Sequence, residues 1–271
     1  MSKTLYISDL DGTLLGSNQR ISEKSSRIIN SLVEKGMIFS YATARSVHTA
    51  KNAAKGLTAK IPLIVYNGAF IVDNMTLERI AVNTFTDDEA DYIYSLLVNG
   101  GVYPIVYSLI DDIEKFSYDT LTLSRGLSDF INTRKGDFRD RPLVGDKDIL
   151  LGKKFYFTCI DTADKLEQLY NSLKDKYNCY FQTDIYSSEH WLEIMPTAAT
   201  KANAVLQLKD ILGCDRVISF GDAVNDIPMA KISDEFYAVG NAAESLKSLA
   251  TGVIGYNDDD GVAQWLLENY K

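Results

Sequence analysis

Short apolar segments with the length of buried β-strands alternate with helical segments at both ends of this chain. Between the strand-like segments, apolar residues recur at helical spacing, as Ile28, Ile29, Leu32 and Val33 do. The strand-like segments cover residues 5–7, 37–41, 63–66, 217–220, 236–239 and 253–254. Strands that alternate with helices in this way pair into a parallel sheet that helices cover on both faces. The sequence therefore predicts an α/β fold.

The middle of the chain has a different pattern and is rich in tyrosine. Its helical and strand-like segments, of which 179–185 is the last strand, carry charges of both signs. We interpret residues 84–190 as an α/β domain inserted into a larger domain, which residues 1–83 and 191–271 form together. A length of 271 residues fits two domains of modest size.

The net charge and the hydropathy of the chain limit the kinds of partner that it can bind. The chain carries 28 Lys+Arg and 37 Asp+Glu, for a formal net charge of −9, and an acidic surface repels a nucleic-acid backbone. No apolar run approaches the ~18 residues of a membrane helix. We therefore expect neither nucleic-acid nor membrane binding, and the sequence predicts no particular oligomeric state.

Histidine and cysteine are rare, which limits the chemistry that the side chains can perform. The 2 His and 3 Cys are far apart and lack the spacing of a zinc site, so reactive groups must be found among carboxylates, Lys, Arg and Thr. The scattered cysteines fit a reducing compartment. Because Asp9 and Asp11 also interrupt any apolar signal region, we expect a cytoplasmic protein.

The segment 9–14, Asp-Leu-Asp-Gly-Thr-Leu, follows the first predicted strand directly. Residues two apart in extended backbone point to the same side, so Asp9 and Asp11 can converge, while Gly12 permits a sharp turn. Two converging carboxylates can hold a hard cation such as Mg²⁺. They can also divide their work, one as nucleophile and the other in proton transfer. The alternative interpretation is an ordinary acidic loop.

A second acidic segment, Gly221–Asp226, also follows a predicted strand. It supplies the carboxylates of Asp222 and Asp226 and the amide of Asn225. Taken alone, the segment could be a helix start capped by aspartate. Taken with the first segment, it predicts a metal site that both ends of the chain assemble.

Two weaker signals point to an anion. Thr43 follows the second predicted strand and can donate to an anion, and Arg45 can fork onto a phosphate or a carboxylate. The helix that follows offers the positive end of its dipole. Lys201 lies at a predicted helix start, where a solvated surface lysine is the usual case. A phosphate-binding role for Lys201 is attractive only because the other elements converge.

The ordered set of these motifs resembles the haloacid dehalogenase (HAD) superfamily over essentially the whole chain. The segments Asn67–Ala69, Leu192–Ile194, Asn225–Met229 and Gly261–Ala263 resemble its Cof-type branch. That branch inserts its cap between the second and third motifs, where the middle domain falls. The resemblance implies a Rossmann-like parallel-sheet core with an inserted α/β cap of class IIB (type C2B).

The resemblance also implies a Mg²⁺-dependent phosphatase of small phosphorylated metabolites, with sugar phosphates as the expected substrates. Asp9 would attack phosphorus and form an aspartyl-phosphate. Asp11 would protonate the leaving alcohol and then activate the hydrolytic water. The implied ligands of Mg²⁺ are Asp9, Asp222 and the backbone carbonyl of Asp11, with Asp226 as a supporting acid.

Further positions carry over to the phosphoryl group and the substrate. The groups implied to grip phosphate are Thr43, Lys201, Asn225 and backbone amides near Leu10 and Ala44, while Arg45 and Asn67 resemble substrate-contacting positions. The sequence departs from the family pattern at Ala44 and Ala202, where glycine is usual. Alanine resists positive φ, so either residue is expected to alter a phosphate loop slightly.

Two other functions stay open from the sequence. A phosphomutase or phosphotransferase would use the same aspartyl-phosphate but pass the phosphoryl group to a sugar instead of water. A non-catalytic protein that binds phosphorylated ligands on the same scaffold is the third alternative. The intact side chains of Asp9, Asp11, Lys201 and Asp222 argue against it.

Overall fold

The computed structural model describes residues 3–183 and 189–271. The chain divides into two compact units, one formed by Met1–Val82 with Ala199–Lys271 and the other by Asn83–Ala198. No helix in the described ranges combines the length and the apolar character that a membrane span requires.

The first segment of the core unit alternates strands and helices before it ends in a hairpin. Its helix α1 begins after Ser22, whose side chain accepts a hydrogen bond from the backbone N–H of Ser25. The elements are β1 (Thr4–Asp9), α1 (Glu23–Glu34), β2 (Ile38–Ala42), α2 (Val47–Ala53), β3 (Pro62–Val65), β4 (Phe70–Asp73) and β5 (Arg79–Val82).

The inserted unit is a mixed α/β domain. A capping box formed by Thr86 and Glu89 fixes the start of its first helix. Its elements are α3 (Asp87–Asn99), β6 (Ile105–Ile110), β7 (Ile113–Asp119), α4 (Arg125–Asn132), β8 (Asp140–Leu143), β9 (Lys153–Asp161), α5 (Ala163–Leu173), β10 (Asn178–Thr183) and β11 (His190–Met195). The strand predicted over 179–185 corresponds to β10 as far as Thr183, and its last two residues lie outside the described ranges.

The last segment returns to the core unit. Thr200 caps its first helix by accepting from the backbone N–H of Asn203, and Gly213 ends that helix in the left-handed conformation. The elements are α6 (Lys201–Leu212), β12 (Arg216–Gly221), α7 (Ile227–Ile232), β13 (Glu235–Ala238), α8 (Glu244–Lys247), β14 (Gly252–Val253) and α9 (Gly261–Asn269).

The sheet of the core unit brings both ends of the chain together at β1. Within the described residues its strand order is β14-β13-β12-β1-β2-β3-β4-β5. The pairs from β14 to β3 are parallel, and β4 and β5 extend the edge antiparallel. β1 is buried along almost its whole length, as expected for a central parallel strand. The strands that follow β1 in the first segment lie on one side of it, and the strands of the last segment lie on the other side. Ligands of such sheets bind where the strand order changes direction, so we expect them at the carboxyl ends of β1, β2 and β12.

The second sheet belongs to the inserted unit and has the order β10-β11-β9-β6-β7-β8. Apolar side chains of α3 and α5, among them Ile93, Leu97 and Leu166, share a buried cluster with Phe157 of β9 and Leu192 of β11. The expected combination of a parallel-sheet α/β core with an α/β insert is therefore confirmed.

The second domain boundary differs from the one predicted. The sequence placed the return to the core at 190/191, whereas β11 pairs with β9 and β10 and stays in the inserted unit. The return therefore follows Ala198, while the first boundary lies one residue from its predicted place. Pairing partners of a strand are set by distant residues, so the local sequence of 190–195 does not reveal its sheet.

Candidate active site

Asp9 closes β1, and its buried carboxylate lies at the centre of the candidate site. Its Oδ1 accepts a hydrogen bond of 2.7 Å from the backbone N–H of Leu10. Residues Leu10–Leu14 then form one wide turn, closed by a 2.9 Å bond from the N–H of Leu15 to the carbonyl of Leu10. This turn keeps the backbone after β1 at the carboxyl edge of the sheet.

Gly12 is required in this turn for two reasons. Its φ of +73° lies in the left-handed region that side chains resist. A Cβ at this position would also lie 2.9 Å from Cγ of Asp222. The glycine thus allows the turn after β1 to pack directly against the acidic segment after β12.

Lys201 is not a surface lysine, because its ammonium is buried between two carboxylates. Nζ lies 2.8 Å from Oδ1 of Asp9 and donates to Oδ1 of Asp226 at 2.9 Å. Only 2% of the Lys201 side chain is exposed, and none of the Asp226 side chain is. Charges are buried in this way when they are paired and hydrogen-bonded. The start of α6 and the segment after β12 are therefore tied to the end of β1.

Asp226 is positioned by the backbone of its own segment. Its Oδ2 accepts from the backbone N–H groups of Asp222 and Ala223, at 3.1 and 3.2 Å. Gly221 leaves room for this fold-back, since a Cβ there would lie 2.7 Å from Oδ2 of Asp226. One oxygen of Asp226 thus shapes the turn, and the other binds Lys201.

Asp9, Asp222 and Asp226 form the acidic cluster. Each offers one oxygen, and the three oxygens lie within 4.8 Å of one another. Asp222 accepts a 2.8 Å hydrogen bond from Oγ1 of Thr13. A set of carboxylate oxygens suits a hard cation such as Mg²⁺. Of the four predicted metal-site residues, the structure groups these three, whereas the Asp11 side chain binds elsewhere.

The electrostatics of the cluster show an excess of negative charge. Burial raises the pKa of Asp9 well above its usual range, the neighbouring carboxylate of Asp226 adds to this, and Lys201 opposes it. Burial also raises the pKa of Asp222 to about 6, although the Thr13 hydrogen bond opposes the shift. Burial acts to lower the pKa of Lys201, but the charges of Asp226 and Asp9 outweigh it, so that pKa is raised. A bound cation would balance the remaining charge.

Thr43 lies in the loop after β2 and is fully buried. Its Oγ1 accepts from the backbone N–H of Arg45 at 3.1 Å, and its own N–H donates to the carbonyl of Ile64 at 3.0 Å. Neither Ala44 nor Ala202 has a positive φ. The two departures from the family pattern therefore carry no backbone strain in this structure.

Asp11 is bound by Arg45. The guanidinium forks onto the carboxylate, with Nη2 2.6 Å from Oδ1 and Nε 2.9 Å from Oδ2. Nη2 also donates to Oε1 of Gln19 at 3.2 Å. The sequence predicted that Arg45 can fork onto a phosphate or a carboxylate, and in this structure it forks onto the carboxylate of Asp11. The hydrogen bond to Asp11 raises the pKa of Arg45.

The two predicted asparagines lie at the same edge of the sheet. Asn67 is buried, with a φ of +52°, and its backbone N–H donates to the carbonyl of Thr43 at 2.9 Å. A Cβ at the next residue, Gly68, would lie 2.7 Å from the carbonyl carbon of Thr200, so this turn packs against the start of α6. Asn225 has a buried Oδ1 that accepts no hydrogen bond among the described residues.

Three contributors to the site were not identified from the sequence. Thr13 binds Asp222, Gln19 binds Arg45, and Nδ2 of Asn241 donates to the carbonyl of Gly12 at 2.7 Å. Thr13 belongs to the segment 9–14 and could have been found there. Gln19 and Asn241 stand in loops with no local signal of their role.

Known proteins resemble this chain over nearly its whole length. A profile of the haloacid dehalogenase-like hydrolases matches residues 6–266. The chain is 28% identical over 280 residues to the 5-amino-6-(5-phospho-D-ribitylamino)uracil phosphatase YwtE of Bacillus subtilis, with 95% of each chain covered.

Solved structures are similar over the whole length. TM0651 from Thermotoga maritima has a TM-score of 0.77 and 25% identity, covering 100% of this chain and 98% of that one. The HAD subclass IIB sugar phosphatase BT4131 has a TM-score of 0.69 and 20% identity, with 98% of each chain covered, and shows a common fold. The expected fold is confirmed. The expected membership in a family of hydrolytic enzymes is also confirmed, and the relatives of this chain include a phosphatase. The chain belongs to the haloacid dehalogenase-like hydrolases.

Proposed function

We propose that this protein is a Mg²⁺-dependent phosphatase that hydrolyses small phosphorylated metabolites through an aspartyl-phosphate. The observation that carries the proposal is the buried Lys201 ammonium, which joins the carboxylates of Asp9 and Asp226 at the end of β1. A positioned carboxylate nucleophile, a fixed cation and further acidic oxygens suit phosphoryl transfer, because that reaction depends on positioning and on cancelling oxygen charge.

Asp9 is the nucleophile of this proposal. Lys201 and the N–H of Leu10 anchor its Oδ1, which leaves Oδ2 to form the bond to phosphorus. As that bond forms, the bond from phosphorus to the ester oxygen breaks, and Asp11 gives its proton to the leaving alcohol. Water then attacks the aspartyl-phosphate, Asp11 takes a proton from the water, and inorganic phosphate leaves Asp9 free.

The charged oxygens of the phosphoryl group need hydrogen-bond donors. Thr43 and Lys201, with the amide of Asn225 and backbone N–H groups near Leu10 and Ala44, are the proposed contacts. Asp9 and Asp222 would hold Mg²⁺ together with the backbone carbonyl of Asp11, and Asp226 would support them. When bound, the cation lowers the repulsion between the substrate phosphate and the acidic cluster.

The substrate class is proposed from the relatives. The name of the Bacillus subtilis relative contains a 5-phospho-D-ribityl group, which is a phosphate ester on a polyol. The neighbour of subclass IIB is a sugar phosphatase. We therefore propose sugar and polyol phosphates as substrates. The three cysteines, all free in the structure, are the basis for proposing a cytoplasmic location.

Release of inorganic phosphate from p-nitrophenyl phosphate and from a panel of sugar and polyol phosphates, with and without Mg²⁺, tests the proposal. Wild-type protein is expected to release phosphate with Mg²⁺, and Asp9→Asn is expected to abolish release. The matched control is Asp175→Asn, at an exposed aspartate of the inserted unit. Equal hydrolysis by wild type and Asp9→Asn would reject the nucleophile. Isomerised hexose monophosphate formed on addition of a hexose bisphosphate would instead show a phosphomutase.

A further inference from the structure

The Asp11 carboxylate lies in the turn after β1 and is bound by the guanidinium of Arg45. About half of its side chain is exposed, at 48%. An exposed aspartate samples several rotamers, and freezing one of them costs conformational entropy. The bidentate contact with Arg45 fixes both oxygens at once, at 2.6 and 2.9 Å. The fork therefore selects one orientation of a carboxylate that the turn itself leaves free.

Arg45 is in turn anchored along its length. Its backbone N–H donates to Oγ1 of Thr43 at 3.1 Å, and its carbonyl accepts from the N–H of Tyr66 at 3.0 Å. At the other end, Nη2 donates to Oε1 of Gln19. Backbone and guanidinium are thus held by three different loops, after β1, β2 and β3.

Two of those anchors have unusual backbone conformations. Tyr66 has a φ of +50° and Gln19 a φ of +58°, and neither is a glycine. Left-handed conformations of such residues are strained, persist only where surrounding structure enforces them, and cluster at functional sites. Here both strained residues donate to or accept from Arg45. Among the described residues, two of the eight non-glycine residues with positive φ therefore hold Arg45.

We propose that Arg45 is a positioning residue for Asp11, which orients the carboxylate toward the oxygen of the leaving group. The inference rests on the proposed function, in which Asp11 is the proton donor. It departs from the role that family resemblance implied, a direct contact with the substrate. A lysine in place of Arg45 would keep the positive charge but lose the fork, because an ammonium is a point charge.

Dependence on the leaving group separates the two roles. An alkoxide leaves only if it is protonated, so hydrolysis of glycerol 3-phosphate needs a correctly oriented Asp11, whereas nitrophenolate is a weak base and leaves with little help. The quantity to measure is kcat/KM, which reports the steps through departure of the alcohol. For Arg45→Lys we expect kcat/KM to fall about 10²-fold on glycerol 3-phosphate and less than about tenfold on p-nitrophenyl phosphate.

A second variant repeats the test at a distance from the reacting atoms. Gln19→Asn tolerates the left-handed backbone but its shorter side chain no longer reaches Arg45. Like Arg45→Lys, it is expected to lose more kcat/KM on glycerol 3-phosphate than on p-nitrophenyl phosphate, but by a smaller factor. Arg27→Lys, at an exposed arginine of α1, is the control for the arginine-to-lysine change. Thermal unfolding of each variant identifies any that fails to fold.

Each outcome decides between the alternatives. Equal losses on both esters in Arg45→Lys would assign Arg45 to the phosphoryl group that the esters share, and would overturn the positioning role while leaving the phosphatase intact. Unchanged kcat/KM on glycerol 3-phosphate in both variants would also overturn it. Wild-type protein that hydrolyses neither ester would overturn the proposed function and this inference together.

Discussion

The ammonium of Lys201 lies 2.8 Å from Oδ1 of Asp9, in a buried ion pair that joins the start of α6 to the end of β1. The two residues come from the two separate segments of the chain that form the core unit. This pair and the second bond from Lys201 to Asp226 fix the only cation in direct contact with the acidic cluster among the described residues. We expect both the stability of the protein and its proposed activity to depend on this pair.

Replacing this lysine is expected to damage the protein severely. Lys201→Met would leave Asp9 and Asp226 buried without their cation, and breaking one partner of a buried pair costs about 3–5 kcal/mol. Urea unfolding should show this loss as a lower midpoint, and phosphate release should be abolished. A Lys201→Met protein as stable as wild type would contradict the described geometry of the pair.

Substitution of Gly12 separates backbone strain from close packing. Gly12→Ala places a Cβ 2.9 Å from Cγ of Asp222 and is expected to displace that carboxylate, with a loss of about 10²-fold in kcat. Gly213→Ala is the matched control, since Gly213 also has a positive φ but no neighbour within 4 Å of a Cβ.

The control should lose about 1 kcal/mol of stability and keep its activity. The measurements are kcat on p-nitrophenyl phosphate and the free energy of unfolding in urea. Similar activities of the two variants would show that the turn does not need to approach Asp222 closely.

The acidic cluster predicts a pH-dependent effect of Asp222 on the metal-free protein. Because its folded pKa is raised to about 6, the stability linked to its protonated form is present below the ordinary pKa and is lost as pH rises through about 6. In EDTA at about pH 8, the free energy of unfolding of Asp222→Asn should therefore exceed that of wild type by about 2 kcal/mol, and its melting temperature should be higher. Both differences should be gone at about pH 4.

Addition of Mg²⁺ should reverse that order. The cation balances the three carboxylates of wild type, so its melting temperature rises, while Asp222→Asn, with one ligand weakened, gains less. Scanning calorimetry of both proteins in EDTA and in Mg²⁺ supplies the comparison. If Mg²⁺ raises both melting temperatures equally, Asp222 is not part of the metal site.

The stability that Asp260 contributes depends on pH in the opposite sense. Its carboxylate accepts from Oγ of Ser22 and Ser25, in the first turn of α1, and also pairs with Lys24 at 3.7 Å. Burial acts to raise its pKa, but the serine hydrogen bonds and the contact with Lys24 together outweigh this, so the pKa of Asp260 is lowered. The stability it contributes is present above the ordinary carboxylate pKa and is lost as pH falls through the lowered folded value.

Asp260→Asn keeps the left-handed backbone of this position, with φ of +60°, and removes only the charge. It should cost about 1 kcal/mol at neutral pH and much less in acid, where the wild-type carboxylate is protonated. Urea unfolding at both pH values checks this. A loss that does not change with pH would show that the charge does not matter.

The parts of the fold that depend on local sequence were predictable. The buried apolar strands and the segment 9–14 place Asp9 at the carboxyl end of β1 without any knowledge of the partners of that strand. The hairpin of β4 and β5 was not predicted. The apolar run Phe70–Val72 of β4 is buried and carried a strand signal, whereas β5 lies at the sheet edge, where Ile80 and Val82 are exposed and give no signal of a buried strand.

The environment of single side chains was less predictable. Lys201 alone resembles a surface lysine, and only the convergence of β1 and the segment after β12 buries it. Asp260 directly precedes α9, yet its side chain makes no capping bond there and binds α1 instead. Both outcomes depend on contacts between residues far apart in the chain, which no local pattern encodes.

The most direct test of the account is detection of a phosphoryl group on Asp9. Wild-type protein turning over a phosphate ester with Mg²⁺ is quenched rapidly in acid, digested, and analysed by mass spectrometry. The account predicts one phosphoryl group on the peptide that contains Asp9, absent in Asp9→Asn and lost on further incubation before the quench once substrate is consumed. Rapid release of inorganic phosphate with no modification of that peptide at any quench time would contradict it.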